Sequence, residues 1–170
     1  MSAIIPTRAG AYRWYYFDVV SGSTTAVFIF MVGSLFSPRY ARGARRGAGP
    51  QAHAAVNFAL YEHGRPRCWV LSEYPLLSLD ANGRTLRIGG SSLQWNHDGS
   101  LTASVSERTP WFGRPVRAQL HFTPEVRGDT AFELVPGLPH WWHPWAPRGR
   151  ATLSLPQRAL TLEGRGYHDG

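Results

Sequence analysis

The sequence contains no lysine, and charged residues of all kinds make up only 17% of it. All 18 of its basic residues are arginine, against 11 acidic residues, so the formal net charge at pH 7 is +7. Hydrophobic residues account for 43% of the chain and aromatic residues for 13%, which excludes an intrinsically disordered protein. A length of 170 residues suffices for one domain with its own core, and we expect a single domain over residues 1–170.

Cysteine and long apolar runs are also scarce. Cys68 is the only cysteine, which excludes a disulfide within the chain and a cysteine-rich zinc site. The most apolar run, residues 26–36, is 11 residues long, whereas a membrane-spanning helix needs about 20. We interpret this run as a strand buried on both faces. Residues 1–10 lack the pattern of a signal peptide, so we expect a protein on the cytoplasmic side, at most peripheral to a membrane.

Four arginines follow this run within the segment SPRYARGARRGAG, namely Arg39, Arg42, Arg45 and Arg46. A helix would place Arg39, Arg42 and Arg46 on one face, where anionic lipid headgroups or a protein partner would be attracted. The alternative is an ordinary solvated turn or short helix. Nucleic acid is not an expected partner, because the aromatic residues are not interleaved with these arginines and no binding motif is present.

Short strands separated by turn residues account for most of the chain. Asp98-Gly99 is a hairpin signal between two of them. About ten short strands with little helix predict an all-β fold, an antiparallel barrel or sandwich. The predicted strands cover residues 11–20, 25–35, 54–61, 67–72, 85–88, 92–96, 100–106, 116–122, 130–134, 151–155 and 159–162.

The residues most able to carry chemistry lie near the end of the chain. The segment 139–147, PHWWHPWAP, holds two histidines and three tryptophans. Prolines flank His140 and His143 and disfavour a helix, so we expect no metal site there. The tryptophans fit either a core plug at a barrel mouth or an aromatic wall for a large hydrophobic ligand. In a strand, Tyr167 and Asp169 would point to the same face, where an apolar setting would favour a protonated, acidic Asp169.

These motifs together resemble the carotenoid 1,2-hydratase (hydroxyneurosporene synthase) family. The resemblance runs from about Ala11 to Asp169. It is carried, in order, by AYRWYYFDVVSG, VFIFMVGSLFSPRYARGARRG, the pattern H-x-x-x-N-x-x-L-Y at His53, Asn57, Leu60 and Tyr61, IGGSSLQW, Glu107 with Pro110, HWWHPWAP, and GYHD.

The resemblance implies a lipocalin-like β fold and the acid-catalysed addition of water to the terminal C1=C2 bond of an acyclic carotenoid, with no cofactor. It implies that Asp169 is the acid, that Tyr167 and His140 orient the acid or the water, and that Trp142 faces the carbocation. Composition adds Trp141 and Trp145 as ligand-binding residues.

Members of this family are longer, and the chain resembles their N-terminal part, shortened at the C-terminus. We therefore expect first a non-catalytic binding or structural subunit, associated with a photosynthetic pigment–protein membrane complex. The alternative is an active hydratase acting through Asp169. A third possibility is a lipocalin-like carrier of another hydrophobic ligand.

Overall fold

A computed structural model describes residues 3–75, 77–79 and 83–170. One α-helix, α1 (Pro38–Ala44), and two 3₁₀ turns, Pro50–His53 and Pro156–Arg158, are the helical elements of these residues. The strands are β1 Arg13–Ser21, β2 Thr24–Val32, β3 Ala54–Glu62, β4 Arg65–Tyr74, β5 Leu77–Leu79, β6 Thr85–Ile88, β7 Ser91–Trp95, β8 Leu101–Arg108, β9 Pro115–Val126, β10 Phe132–Glu133, β11 Trp141–Trp142, β12 Ala146–Leu155 and β13 Leu160–Asp169.

Eleven of these strands form one antiparallel sheet in the order β4-β3-β2-β1-β13-β12-β9-β8-β7-β6-β5. Strands β10 and β11 form a separate two-stranded sheet. The large sheet curls on itself, so that β4 comes close to β8 and the Tyr74 hydroxyl donates a hydrogen bond of 2.6 Å to Glu107. The all-β, lipocalin-like, barrel-like fold predicted from the sequence is confirmed.

The interior of the barrel is filled with side chains. Strand residues alternate between the two faces, and the inward ones include the fully buried Phe17, Phe28, Phe58 and Phe122. Phe28 and Phe58 pack edge to face at 5.0 Å across β2 and β3. A packed interior of this kind stabilises the barrel.

The apolar run at residues 26–36 departs from its prediction at its end. Strand β2 stops at Val32, and Leu35 and Phe36 are exposed. Gly33 causes the break, because its φ of +77° is left-handed backbone. A side chain at Gly33 would also collide with Pro50 and Tyr40.

The arginine cluster is exposed but is not a single helical stripe. Arg39 and Arg42 lie on α1, Arg45 caps its C-terminus, and Arg46 lies in the following turn. The helix stops there because the chain turns back, with the Arg46 amide bonded to the Gly43 carbonyl. The prediction that a helix aligns Arg46 with Arg39 is therefore wrong, because the helix ends before Arg46. Among the described residues, no helix is long and apolar enough to cross a membrane.

Candidate active site

Strands β1 and β13 pair in a register that brings four polar side chains together. Tyr16 lies opposite Asp169, and Asp18 lies opposite Tyr167. Paired residues share a face of the sheet, and Phe17 between them points into the core. All four polar side chains therefore lie on the outer face of the barrel, half-buried.

Asp169 is the centre of this group. Its Oδ2 accepts a hydrogen bond of 2.9 Å from the indole Nε1 of Trp142 and one of 2.8 Å from the hydroxyl of Tyr167. Its Oδ1 is buried and finds no hydrogen-bond partner among the described residues. One carboxyl oxygen is thus held by two donors, and the other is free to carry a proton.

The pKa of Asp169 is raised above its ordinary value, and burial is the cause. The hydrogen bonds from Trp142 and Tyr167 favour the ionised form and act in the opposite direction. Burial and the neighbouring carboxylate also raise the pKa of the Tyr167 hydroxyl, so that hydroxyl remains a donor. The predicted pairing of Tyr167 with an acidic Asp169 therefore has a geometric basis.

A second tyrosine–aspartate pair lies beside the first. The hydroxyl of Tyr16 donates a hydrogen bond of 3.2 Å to Oδ2 of Asp18, and the Tyr16 and Tyr167 rings meet edge to face at 6.0 Å. Neither Tyr16 nor Asp18 was predicted as a site residue from the sequence. The signal was present, because Tyr16-Phe17-Asp18 repeats the Tyr-x-Asp pattern of residues 167–169.

Trp142 reaches the carboxyl from the small sheet above β13. Its neighbour His143 exchanges two backbone hydrogen bonds with Gly170, which continue the pairing past the end of β13. The Trp142 ring also packs against Phe132 of β10, with ring centroids 5.6 Å apart. Trp142 is thus positioned by backbone pairing on one side and by an aromatic contact on the other.

His140 and Trp141 do not join Asp169. The ring of His140 lies edge-on against Tyr12 at 5.7 Å, and the hydrogen bonds of His140 run through its backbone. The two residues line a separate, open cavity of about 440 Å³ together with Tyr12 and Trp14. Gly170 also lines this cavity, so it borders the acid site without including the carboxyl.

Comparison with known proteins identifies the family. Residues 28–170 match the family described as carotenoid hydratase CrtC. The chain belongs to this family. It is 38% identical over 164 residues to the acyclic carotenoid 1,2-hydratase of Thiocapsa roseopersicina, covering 94% of this chain and 40% of that protein. It is 32% identical over 169 residues to the enzyme of the same name from Rubrivivax gelatinosus, covering 96% and 41%.

The chain therefore spans about 40% of the length of these carotenoid hydratases. Among solved structures it resembles that of a candidate AttH protein from Nitrosomonas europaea, with a TM-score of 0.60 and 11% identity. That match covers 93% of this chain and 50% of the other, and it supports the fold alone.

Several residues that carry the likeness to carotenoid hydratases maintain the fold. The Asn57 amide donates a buried hydrogen bond of 2.7 Å to the Val70 carbonyl. Buried Glu107 accepts hydrogen bonds of 2.6 Å from Ser91 and from Tyr74. The glycine before Tyr167 lies against the core, because a Cβ at Gly166 would be 2.8 Å from the Phe122 ring.

Trp145, the third tryptophan of the hydratase-like HWWHPWAP segment, faces the other side of β13. Its ring stacks on His143 at 3.7 Å and lies under the guanidinium of Arg13 at 5.4 Å. Its buried Nε1 has no partner among the described residues. The structure therefore separates Trp145 from Asp169, and its predicted ligand contact stays a prediction.

The two histidines of this segment contact different residues. His140 packs on Tyr12, whereas the His143 Nε2 lies 3.1 Å from the Gly128 carbonyl. In the part of the chain that the structure describes, no group of three or more potential ligands could hold a metal ion.

Proposed function

We propose that this chain carries the acid site of a carotenoid hydratase and that Asp169 donates the proton to the terminal C1=C2 bond of an acyclic carotenoid. One observation supports this most directly. Trp142 and Tyr167 converge on one oxygen of a half-buried carboxyl whose other oxygen has no partner. A desolvated carboxyl of this kind is suited to general acid catalysis near neutral pH.

The proposed reaction balances without a cofactor. The proton leaves the Asp169 carboxyl and bonds to C2, which leaves the positive charge on the tertiary carbon C1. A water oxygen then bonds to C1, and the proton that this water releases returns to the carboxylate. The net change is the addition of one water molecule.

Three electron-rich rings surround the proposed proton donor. Trp142 and Tyr167 bond to Asp169 itself, and Tyr16 packs against Tyr167. The negative faces of such rings stabilise a nearby cation. This supports the proposal that the carbocation forms beside β1 and β13, on the outer face of the barrel.

The test is an assay of the purified chain with neurosporene dispersed in detergent. We expect a hydroxylated product that disappears in Asp169→Asn. Asp129→Asn is the matched control, since Asp129 is exposed and its carboxyl accepts a hydrogen bond from the adjacent Thr130. Equal product from Asp169→Asn and the wild type would refute the role of Asp169. No product from the wild-type chain would refute activity of this chain alone.

A second candidate function is a non-catalytic binding or structural subunit of a photosynthetic pigment–protein complex. It is supported by the position of Asp169 on the outer face of the sheet, outside an interior filled with side chains. Under this proposal the chain co-purifies with such complexes from a phototrophic membrane and forms no product. Turnover that depends on Asp169 would contradict it.

A further inference from the structure

Two Tyr-x-Asp segments lie antiparallel to each other at the proposed acid site. Tyr16 bonds to Asp18 on β1, Tyr167 bonds to Asp169 on β13, and each tyrosine lies opposite the aspartate of the other strand. We infer that Asp18, held by Tyr16, is a positioning residue for Asp169, and that the two carboxyls act as one pair bearing a single negative charge. This inference deepens the proposed function and rests on it.

The reason is electrostatic. Two carboxyls on one half-buried face cannot both ionise without repulsion, so the pair loses its protons in two separated steps. Burial raises the pKa of Asp18, the hydrogen bond from Tyr16 lowers it, and the charge of Asp169 raises it further. The titratable or charged groups around the pair are Tyr16, Tyr61, Tyr167, Arg148 and Arg165.

The pair therefore keeps a proton at a pH at which a single carboxyl would have lost it. Asp18 lines an open depression of about 380 Å³ with Tyr167, so its carboxyl borders the space next to the proposed proton donor. The hydrogen bond from Tyr16 stabilises a negative charge on Asp18. A charge on either carboxyl disfavours ionisation of the other, and the charge of Asp169 is one of the causes that raise the pKa of Asp18.

The test is carbon-13 NMR titration of the aspartate side chains, which measures the titration midpoint of each carboxyl. We expect the Asp18 midpoint to fall by about one pH unit in Asp169→Asn, because that substitution removes the charge that raises the pKa of Asp18. Tyr16→Phe, which keeps the ring, should raise the midpoint of Asp18. Asp129→Asn should not move it. Circular dichroism verifies that each variant is folded.

The outcomes separate this inference from the proposed function. An Asp18 midpoint that does not move in Asp169→Asn overturns the inference, whatever the assay shows. A shifted Asp18 midpoint without turnover supports the pair and refutes hydration by this chain. If the chain is active, Asp18→Asn should shift the pH profile of kcat, and an unchanged profile would also overturn the inference.

A separate surface leads to a second, independent proposal. Exposed apolar and basic side chains meet where β2 passes into α1, and no acidic residue occurs between Asp18 and Glu62. We call this surface the arginine-rich edge. Its members are Leu35, Phe36, Arg39, Arg42, Arg45 and Arg46.

Hydrogen bonds connect the arginine-rich edge to the rest of the protein. The Ser37 hydroxyl donates to Glu73 on β4 at 2.6 Å and accepts from the Tyr40 amide at 3.1 Å. Buried Tyr40 in turn bonds to the Ala11 carbonyl. The nearby carboxylate of Glu73 is already engaged by Ser37 and His53, and the four arginines make no ion pair with any described residue.

We propose that the arginine-rich edge binds the surface of an anionic lipid bilayer. Phe36 is 59% exposed and Leu35 is 46% exposed, so both can enter the headgroup region while the arginines contact phosphates. Four unpaired arginines complement a negative surface, and the adjacent apolar pair favours a bilayer over a dissolved anion. This proposal does not depend on the acid site.

The test is co-sedimentation with vesicles of phosphatidylglycerol and phosphatidylcholine in equal parts. We expect binding that high salt weakens and that phosphatidylcholine alone does not support. Arg39→Gln with Arg42→Gln should weaken binding about 30-fold. The control is Arg87→Gln with Arg117→Gln, which removes the same charge from exposed positions on β6 and β9. This control should retain vesicle binding. Equal losses in the two double variants would overturn the proposal.

The apolar part is tested by Phe36→Ser. The comparison is Trp111→Ser with Phe112→Ser, because this pair is 89% and 79% exposed in the turn between β8 and β9. Loss of vesicle binding in Phe36→Ser alone supports the arginine-rich edge. Loss only in the Trp111 and Phe112 variant would overturn it.

Discussion

The indole Nε1 of Trp142 donates a hydrogen bond of 2.9 Å to Oδ2 of Asp169, 27 residues further along the chain. This contact joins the HWWHPWAP segment to the GYHD segment. It selects Trp142 from three neighbouring tryptophans, because Trp141 is 57% exposed and Trp145 lies on the other side of β13.

Trp142→Phe should raise the pKa of Asp169. The substitution removes a donor that favours the ionised carboxyl and keeps an aromatic ring against Phe132. Carbon-13 NMR titration of the carboxyl measures the change. Trp141→Phe is the matched control and should leave the midpoint in place. A midpoint that Trp142→Phe does not move would contradict this hydrogen bond.

His140→Gln should leave the pKa of Asp169 unchanged, because the His140 ring packs on Tyr12 and makes no described contact with Asp169. It should weaken binding of a hydrophobic fluorescent probe in the cavity that His140 lines with Trp14. Titration and probe fluorescence measure the two effects separately. A shift of the Asp169 midpoint would show that His140 reaches the acid after all.

His168 should make the fold less stable as the pH falls. Burial lowers the pKa of His168 to about 4, and its Nδ1 donates to the Tyr16 carbonyl at 2.9 Å. Between about pH 6.5 and pH 4, His168 binds a proton in the unfolded chain but not in the folded protein. The free energy of unfolding therefore falls by about 3 kcal/mol in total over this range. Below that range His168 has no further effect.

Urea unfolding of the wild type and His168→Gln at about pH 7 and about pH 5 measures this loss. The comparison is needed because the raised pKa values of Asp18 and Asp169 act with the opposite sign, stabilising the folded state on acidification. The wild type should lose more stability than the variant. Parallel pH dependences would contradict the buried, neutral state of His168.

Phe122→Ala should lower the free energy of unfolding by about 3–5 kcal/mol. Phe122 is fully buried, packs on Phe17 at 6.2 Å, and lies against Gly166, so its loss leaves a cavity beneath β13. Phe112→Ala, at an exposed position, should change it by less than about 0.5 kcal/mol. Thermal or urea unfolding measures both. Similar losses of unfolding free energy in the two variants would mean that the barrel interior is not packed as described.

Most of the strands were predictable from local pattern, and their ends were not. The glycine-containing turns on either side of residues 85–88 predicted β6 with both of its ends correct. In contrast, β13 was predicted to end at residue 162 and continues to Asp169. The glycines at 164 and 166 weaken a strand locally, but pairing with β1 and β12 holds the backbone extended. Strand β11 was not predicted, because a strand of two residues is too short to show an alternating pattern of polar and apolar residues.

The sequence by itself determined the all-β class, the family motifs and the pairing of Tyr167 with Asp169, since a strand places every second residue on one face. Only the tertiary structure decided which tryptophan bonds the carboxyl, that His140 lines a different cavity, and that Tyr16 and Asp18 lie beside the acid. The physical reason is register. Strands β1 and β13 are about 150 residues apart, and no local pattern specifies which residues of such distant strands lie opposite each other.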